Sequence, residues 1–370
     1  MIKMRMCFLS PYPPQSGGVP TQTDGLVRML AKRHNVCVIT YGRKGRKGGK
    51  NLEIFEIPVV NLKVLRGLLY FIGAIITLLF ISRKKKIDII HAQYMHPLGT
   101  AALLSRKIMR KKPKVVITAH GSDLISLGKN RVVRRFLSWL GNSGDKLICV
   151  SKYLGSEASG IGVNPEKIKV VYNGLDASDF PKKSKGCLRK ELGLPKDRKI
   201  ITFAGSLSED KGADIFVILA KHLLEKDPDM LFVLVGGGPE KKRLARFCAR
   251  NKIKDSVRFA GPKNHKETLE YIKSSDVLVV PSRIEGFGMT ALEGMRLGVP
   301  VAASKTGALP EILSENSLTE NLPVTVMKIL KTRKFRDEMI NENKRLSRKF
   351  SLEMMVNETE KAYRNVKRSA

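Results

Sequence analysis

At 370 residues, the chain is longer than one ordinary hydrophobic core, and two domains are expected. Its composition is globular, with 42% hydrophobic and 6% aromatic residues. The net charge of +34 is unevenly spread: residues 1–175 carry 30 basic and 8 acidic side chains, and the remainder carry 38 and 26. Such an excess favours polyanionic partners (nucleic acid, anionic membrane or phosphorylated substrates) without choosing among them.

Short apolar runs alternate with helical segments, the pattern of doubly wound α/β domains. Strands are expected near Arg5–Ser10, Val36–Tyr41, Ile87–Ala92, Val115–Ala119, Lys146–Val150 and Lys169–Tyr172. A second series follows at Ile200–Ala204, Leu231–Val235, Val257–Ala260, Val277–Val280 and Val299–Ala303. Two tandem Rossmann-like domains with a ligand cleft between them are therefore expected. The first would span 1–175 and the second 176–350, and a terminal helix over 351–370 would pack back toward the first. The polar stretch Pro181–Lys185 follows the join. Arg43–Lys50 reads as a basic, glycine-rich loop.

The segment Gly67–Ser82 is apolar over sixteen residues and is followed by Arg83-Lys84-Lys85-Lys86. A spanning helix needs roughly 20 apolar residues, so a true span is the least favoured of three readings and two others stand ahead of it. One is a well-buried core helix. The other is a helix lying in a membrane interface beside a basic anchor. The amino terminus reads as a strand rather than a cleavable leader. The five cysteines (Cys7, Cys37, Cys149, Cys187 and Cys248) are odd in number and lack metal-ligand spacing. They are expected to be free thiols, three of them acting as small hydrophobes in strands, in a reducing cytoplasmic compartment.

The chemistry-bearing residues cluster after strands, where open parallel sheets bind ligands. Gly17 and Gly18 follow the first strand and permit close backbone approach. His120 ends the fourth and opens a Gly-Ser-Asp turn. Asn173-Gly174 follows the sixth. Gly205 to Lys211-Gly212 forms a strand-to-helix turn whose lysine could neutralise a diphosphate. It lacks the P-loop order. His91 and His96 make no metal triad with a third ligand. Asp227-Pro228-Asp229 precedes its strand and so lies at the wrong edge for metal chemistry. Gly236-Gly237-Gly238-Pro239 matches the dinucleotide fingerprint poorly, which disfavours a nicotinamide enzyme.

The richest segment is Pro281-Ser282-Arg283-Ile284-Glu285-Gly286-Phe287-Gly288-Met289-Thr290-Ala291-Leu292-Glu293. An apolar strand precedes it, and helical spacing begins at Met289. Glu285 is thus expected at a strand's carboxyl edge and Glu293 one turn into a helix. The backbone N–H groups of Gly288, Met289 and Thr290 would face an anion at that helix's N-terminus.

Together these motifs resemble the family-4 retaining glycosyltransferases of GT-B architecture. The resemblance rests on Gly17-Gly18, Thr118-Ala119-His120-Gly121-Ser122-Asp123, Val171 to Asp176, Glu209-Asp210-Lys211-Gly212, Val235 to Pro239 and the paired glutamates, in that order. It implies a UDP- or GDP-sugar donor held by the second domain, a glycan or lipid-linked acceptor at the first, and no metal. By the same resemblance Glu293 binds ribose, Glu285 contacts the transferred sugar, Lys211 neutralises the diphosphate, His120 lies by the sugar, and Gly18 approaches the donor.

Two departures from the family pattern stand out. Ser206 occupies the position of a second diphosphate clamp, usually arginine, and Arg283 is a possible substitute. After Leu313 the chain leads straight toward a helix, as if an edge strand and turn had been deleted. Alternatives are a nucleotide-sugar epimerase or hydrolase of the same architecture, a non-catalytic relative, and a nucleic-acid binder supported by charge alone.

Overall fold

The computed structural model describes residues 3–15, 17–42, 48–59, 63–126 and 130–368. Residues 43–47 of the basic glycine-rich loop lie outside them. The chain forms two compact units, one of residues 1–175 with 350–370 and one of residues 176–349.

The first unit is built on seven strands: β1 (Arg5–Leu9), β2 (Asn35–Tyr41), β3 (Leu52–Ile57), β4 (Ile89–Ala92), β5 (Lys114–Ala119), β6 (Lys146–Cys149) and β7 (Ile168–Val170). They pair in parallel in the order β3-β2-β1-β4-β5-β6-β7. The central strands are nearly continuous runs of Val, Ile, Leu and Phe because helices cover both faces. Between them run α1 (Gly18–Ala31), α2 (Lys63–Lys84), α3 (Thr100–Ile108), α4 (Arg131–Ser143) and α5 (Lys152–Gly160). Right-handed crossovers put α1 on one face and α2 to α5 on the other, because the strand order reverses at β1.

The second unit begins with α6 (Lys185–Glu191). It continues through β8 (Lys199–Ala204), α7 (Ala213–Leu224), β9 (Met230–Val235), α8 (Lys241–Arg250), β10 (Val257–Gly261) and α9 (His265–Ser274). It then runs through β11 (Val277–Val280), α10 (Met289–Leu297), β12 (Val301–Ser304), α11 (Leu309–Ile312), β13 (Leu318–Thr319), α12 (Leu322–Lys331) and α13 (Arg333–Ser347). Its parallel sheet has the order β10-β9-β8-β11-β12-β13. In its core Phe203 packs tilted against Phe216, which meets Phe232 in a T-shaped contact.

The last helix, α14 (Leu352–Arg368), belongs to the first unit and packs beside α1. Its buried face carries Met355, Val356, Ala362 and Tyr363 into that unit's core. Tyr363 Oη lies 2.6 Å from His91 Nδ1, and Glu360 accepts hydrogen bonds from Arg33 at 3.0 Å and His34 at 2.9 Å.

The structure changes several expectations. β3 is an additional strand. Its sequence alternates apolar residues with Glu53 and Glu56, as suits a sheet edge, and carries no long apolar run. β7 ends at Val170, leaving Tyr172 outside the strand. The edge strand after Leu313 is shortened but present: Leu318 and Thr319 pair with Ala303 and Ser304. Cys7 and Cys37 are joined by a disulfide rather than free. Parallel pairing of β1 with β2 sets them directly opposite, with Cα atoms 4.7 Å apart, a proximity that their separation in sequence hides. Helix α2 is 22 residues long and is not a core helix: only 22% of its apolar segment is buried.

Candidate functional site

In the second unit, the chain leaves β11 at Val280, runs through Glu285 and enters α10 at Met289, as the apolar run and helical spacing predict. Gly288 makes this turn possible. Its φ of 101° is left-handed, and a Cβ there would come within 2.8 Å of Leu309 and 3.0 Å of Ile312. No side chain caps α10, so its N-terminal N–H groups at Met289 and Thr290 are available to an anion.

Glu285 is buried at this turn. Lys211, from the loop after β8, donates from Nζ to Oε1 and Oε2 of Glu285 at 2.9 Å each, and Ser282 Oγ donates to Oε2 at 3.0 Å. The loop reaches this far because Gly212, with φ 69°, lies against Pro281, where a Cβ would sit 1.9 Å from the carbonyl oxygen. The N–H of Ala308 holds the Glu285 carbonyl at 3.0 Å. The two residues assigned separate tasks by resemblance therefore share one ion pair.

Glu293 is also buried, one turn into α10. His265, the first residue of α9, donates from Nε2 to its Oε1 at 2.9 Å. Burial works against the charged form of His265, but the bond and charge of Glu293, with Asp179 nearby, outweigh it and raise the pKa. Arg283, whose sequence position suggested a substitute clamp, is engaged by neighbouring protein groups. Both its terminal nitrogens bond the Asp214 carboxylate at 2.7 Å, and one also donates to the Glu209 carbonyl. Ser206, beside Gly205 after β8, is exposed. Asp229 forms a surface pair with Arg198 at the amino edge.

In the first unit, His120 directly follows β5. Asp123 Oδ1 accepts from the N–H groups of His120 and Gly121, and its Oδ2 accepts from Met95, each at 3.0 Å, tying the loops after β4 and β5 together. The His120 ring contacts Gln93: Nε2 lies 2.8 Å from Gln93 Oε1. A carboxamide oxygen only accepts, so Nε2 carries the proton. Burial lowers the His120 pKa to about 3, which keeps the ring neutral and leaves Nδ1 as an acceptor. Gln93 is fully buried, and its Nε2 has no hydrogen-bond partner among the described residues.

His91 lies inside β4, bonded to Thr118 and Tyr363 and neutral, its pKa lowered to about 3 by burial and then by His120. It is a structural residue, as its full burial requires. Gly17 caps and Gly18 opens α1, and Asn173 follows β7 with its Oδ1 buried and without a hydrogen-bond partner among the described residues. Gly17, Gly18, His120 and Asn173 thus belong to the first unit, while Gly205, Lys211, Glu285, Gly288, Met289, Thr290 and Glu293 belong to the second. Sequence reasoning missed Gln93, Ser282 and His265. Gln93 lies between the noted His91 and His96, and Ser282 lies inside the quoted glutamate segment without a role assigned to it, but His265 is brought to Glu293 only by the fold. Among the described residues, no three His, Cys, Asp or Glu side chains are grouped to hold a metal ion.

Two doubly wound units, with paired glutamates and a lysine beyond the strand ends of one of them, define a glycosyltransferase of GT-B architecture. Residues 16–179 match the description Glycosyltransferase Family 4, and residues 185–345 match Glycosyl transferases group 1. An uncharacterized glycosyltransferase of Methanocaldococcus jannaschii is 31% identical over 98% of this chain and 99% of its own length. The chain belongs to the family-4 glycosyltransferases. It is also 28% identical, over 81% of its length and 79% of the relative's, to N-acetyl-alpha-D-glucosaminyl L-malate synthase of Bacillus anthracis. Its fold is similar to that of Anabaena HepE, solved with UDP and glucose, with a TM-score of 0.81 and 18% identity over 97% of this chain and 98% of that one.

Proposed function

We propose that this glycosyltransferase moves a hexosyl group, with retention of configuration, from a UDP- or GDP-sugar to the hydroxyl of a membrane-proximal or lipid-linked acceptor at the cytoplasmic face. The observation that carries this reading is the junction of Lys211, Glu285 and the uncapped N-terminus of α10 beyond β8 and β11. The fold likeness to a protein solved with UDP and glucose supports UDP as the donor nucleotide.

In this reading the diphosphate lies at the N–H groups of Gly288, Met289 and Thr290, with Gly205 leaving room for the backbone to approach. Lys211 then moves from Glu285 to the diphosphate. As the sugar C1–O bond breaks, its electron pair passes to the diphosphate oxygen, where Lys211 and the helix terminus stabilise the charge. The acceptor oxygen bonds C1 from the face the diphosphate leaves, and the hydroxyl proton passes to the departing diphosphate. Glu285, freed from Lys211, holds sugar hydroxyls, and Glu293 holds the ribose. His120 accepts a hydroxyl hydrogen bond at Nδ1. Asn173 supplies its unpartnered oxygen, and Gly17 and Gly18 allow close backbone approach. The charge at the leaving group is met by these groups, so no metal is required.

A thermal-shift screen of UDP- and GDP-sugars, followed by detection of released nucleotide with candidate acceptors, tests this reading. A shift with one nucleotide class that disappears in Glu293→Ala is expected. No shift with either class, or release unaffected by Lys211→Ala, overturns it.

A further inference from the structure

Among the described residues, the outer face of α2 is an uncovered apolar strip. Leu65, Leu68, Ile72, Ile76 and Phe80 recur at helical spacing and all are exposed, Ile76 by 61%. The opposite face is fixed: Tyr70, Ala74, Leu78 and Ile81 are buried, and Tyr70 Oη donates to the Ile39 carbonyl of β2 at 2.8 Å. From Leu65 to Phe80 the strip is about 22 Å long at helical rise. The neighbouring α3 adds exposed Leu104 and Ile108.

Topology fixes which end is which. β3 delivers the chain to α2 at the carboxyl edge of the sheet, and α2 returns it to β4 at the amino edge, as α3 does for β5. The basic residues that follow each helix therefore gather at the same edge. Arg83, Lys84 and Lys86 follow the strip, and Lys107 lies in the last turn of α3 with residues 110–112 just beyond it. All are exposed. Of these, Lys86 lies near a carboxylate, Asp88, which is itself paired with Lys367. By contrast, Lys85, Arg106 and Lys114 are each paired with Glu53 or Asp145.

We propose that this face seats the first unit on an anionic lipid bilayer, with α2 lying in the plane of the interface. The idea deepens the membrane-proximal reading above by naming the surface and the lipid chemistry. By length and mean hydropathy (2.0 over Leu65–Lys84) the helix could cross a bilayer. Spanning would tear Tyr70, Ala74, Leu78 and Ile81 from the sheet, so only the outer strip enters the acyl boundary. The basic edge then meets anionic headgroups. A protein partner is the weaker fit, because a protein interface carries a mixed polar rim, whereas the carboxylates Glu53, Asp88 and Asp145 near this edge are already ion-paired and the excess charge is basic. Seated this way, the start of the strip brings lipid toward the carboxyl edge, where His120 and Gln93 lie.

The test is flotation of the full chain with vesicles of phosphatidylcholine, with and without phosphatidylglycerol. Binding is expected only with phosphatidylglycerol, is expected to fall at high salt, and is expected to be released by alkaline carbonate. Ile72→Asp with Ile76→Asp should weaken it at least about tenfold, and Arg83, Lys84 and Lys86 to Ser should weaken it comparably. If the aspartate pair misfolds, a spin label at Ile76→Cys in a Cys187→Ser background gives a separate reading, since Cys187 is exposed. The label should report a lipid environment on binding.

Unchanged flotation of a folded aspartate variant overturns the proposal. So does carbonate-resistant insertion, an aqueous label, or a wild-type dimer that ignores vesicles and is dissolved by the same pair of substitutions. Nucleotide-sugar binding by the second unit is read in parallel by thermal shift. It should persist in every variant, which separates loss of the membrane surface from failure of the transferase reading.

Discussion

Lys211 and Glu285 stand 74 positions apart, yet both carboxylate oxygens of Glu285 accept from Lys211 Nζ at 2.9 Å. The lysine is about one-third exposed and the carboxylate mostly buried. Under the proposed function, a diphosphate reaching this turn would compete with Glu285 for the lysine, and a sugar hydroxyl would compete with the lysine for Glu285. The ion pair would then preorganise both groups before substrate arrives.

Lys211→Ala should lower transfer by about 10²-fold or more, the scale of one preorganised donor lost at developing charge. Glu285→Gln should mainly lower turnover, leaving nucleotide-sugar affinity nearly intact. Initial rates beside calorimetry separate the two. Equal loss of affinity in both variants, with turnover of the bound complex unchanged, would show that the pair only binds.

Glu293→Ala should weaken nucleotide-sugar binding with a smaller effect on turnover. His265, whose pKa Glu293 raises, also contributes to stability. Its native pKa lies above the unfolded value, so the contribution is full below about pH 6.5 and is lost as pH rises through the raised value. His265→Gln should therefore be less stable than the parent in mild acid, with the gap closing in alkali. Urea unfolding at both pH values measures this, and a gap that does not change with pH would rule out the charged pair.

Ser206→Arg should tighten nucleotide-sugar binding about tenfold, since a charged hydrogen bond is worth about 1.5–3 kcal/mol. Exposed Ser206 leaves room for the longer side chain, and Arg283 is held by Asp214 and does not already fill the role. Calorimetry with UDP, free and sugar-linked, checks it. Unchanged affinity would place the diphosphate elsewhere.

Gln93→Glu should keep the proton on His120 Nε2 while raising the ring's pKa, because a carboxylate favours the charged imidazole. Gln93→Leu should release the tautomer. Nitrogen NMR of labelled protein, assigned with His120→Ala, reads both effects without any activity assay. Identical ring shifts in parent and Gln93→Leu would deny Gln93 this role.

His91 is held near a pKa of about 3 by burial and then by His120. Between about pH 6.5 and 3 the unfolded chain binds a proton that the native site refuses, so stability falls as pH falls. His91→Gln should flatten this acid slope by about 1.4 kcal/mol per pH unit. An unchanged slope in urea titrations would show that His91 takes up its proton without unfolding.

The alternating fold was legible because central parallel strands, covered on both faces, are written as apolar β-branched runs such as Val277–Val280. β3 was not, because an edge strand interrupts its apolar positions with Glu53 and Glu56. Residues at strand ends, including Glu285 and Gly288, were readable from the turn chemistry around them. Their partners were not. The Lys211–Glu285 pair, the His265 contact to Glu293 and the Cys7–Cys37 disulfide all depend on which strands become neighbours, and local spacing does not encode that order. The outward face of α2 escaped for a related reason: hydropathy reports that a helix is apolar, not which side the sheet covers.

α14 has a consequence for how the molecule is made. The second unit is one unbroken stretch of chain, whereas the first is closed by residues made only after the whole of the second. Until then the sheet of the first unit lacks Tyr363 for His91 and Glu360 for Arg33 and His34. The earlier-synthesised unit is therefore completed second. A stop codon ahead of residue 350 would release a chain whose downstream unit is whole and whose upstream unit waits, during and after translation, with part of its core open.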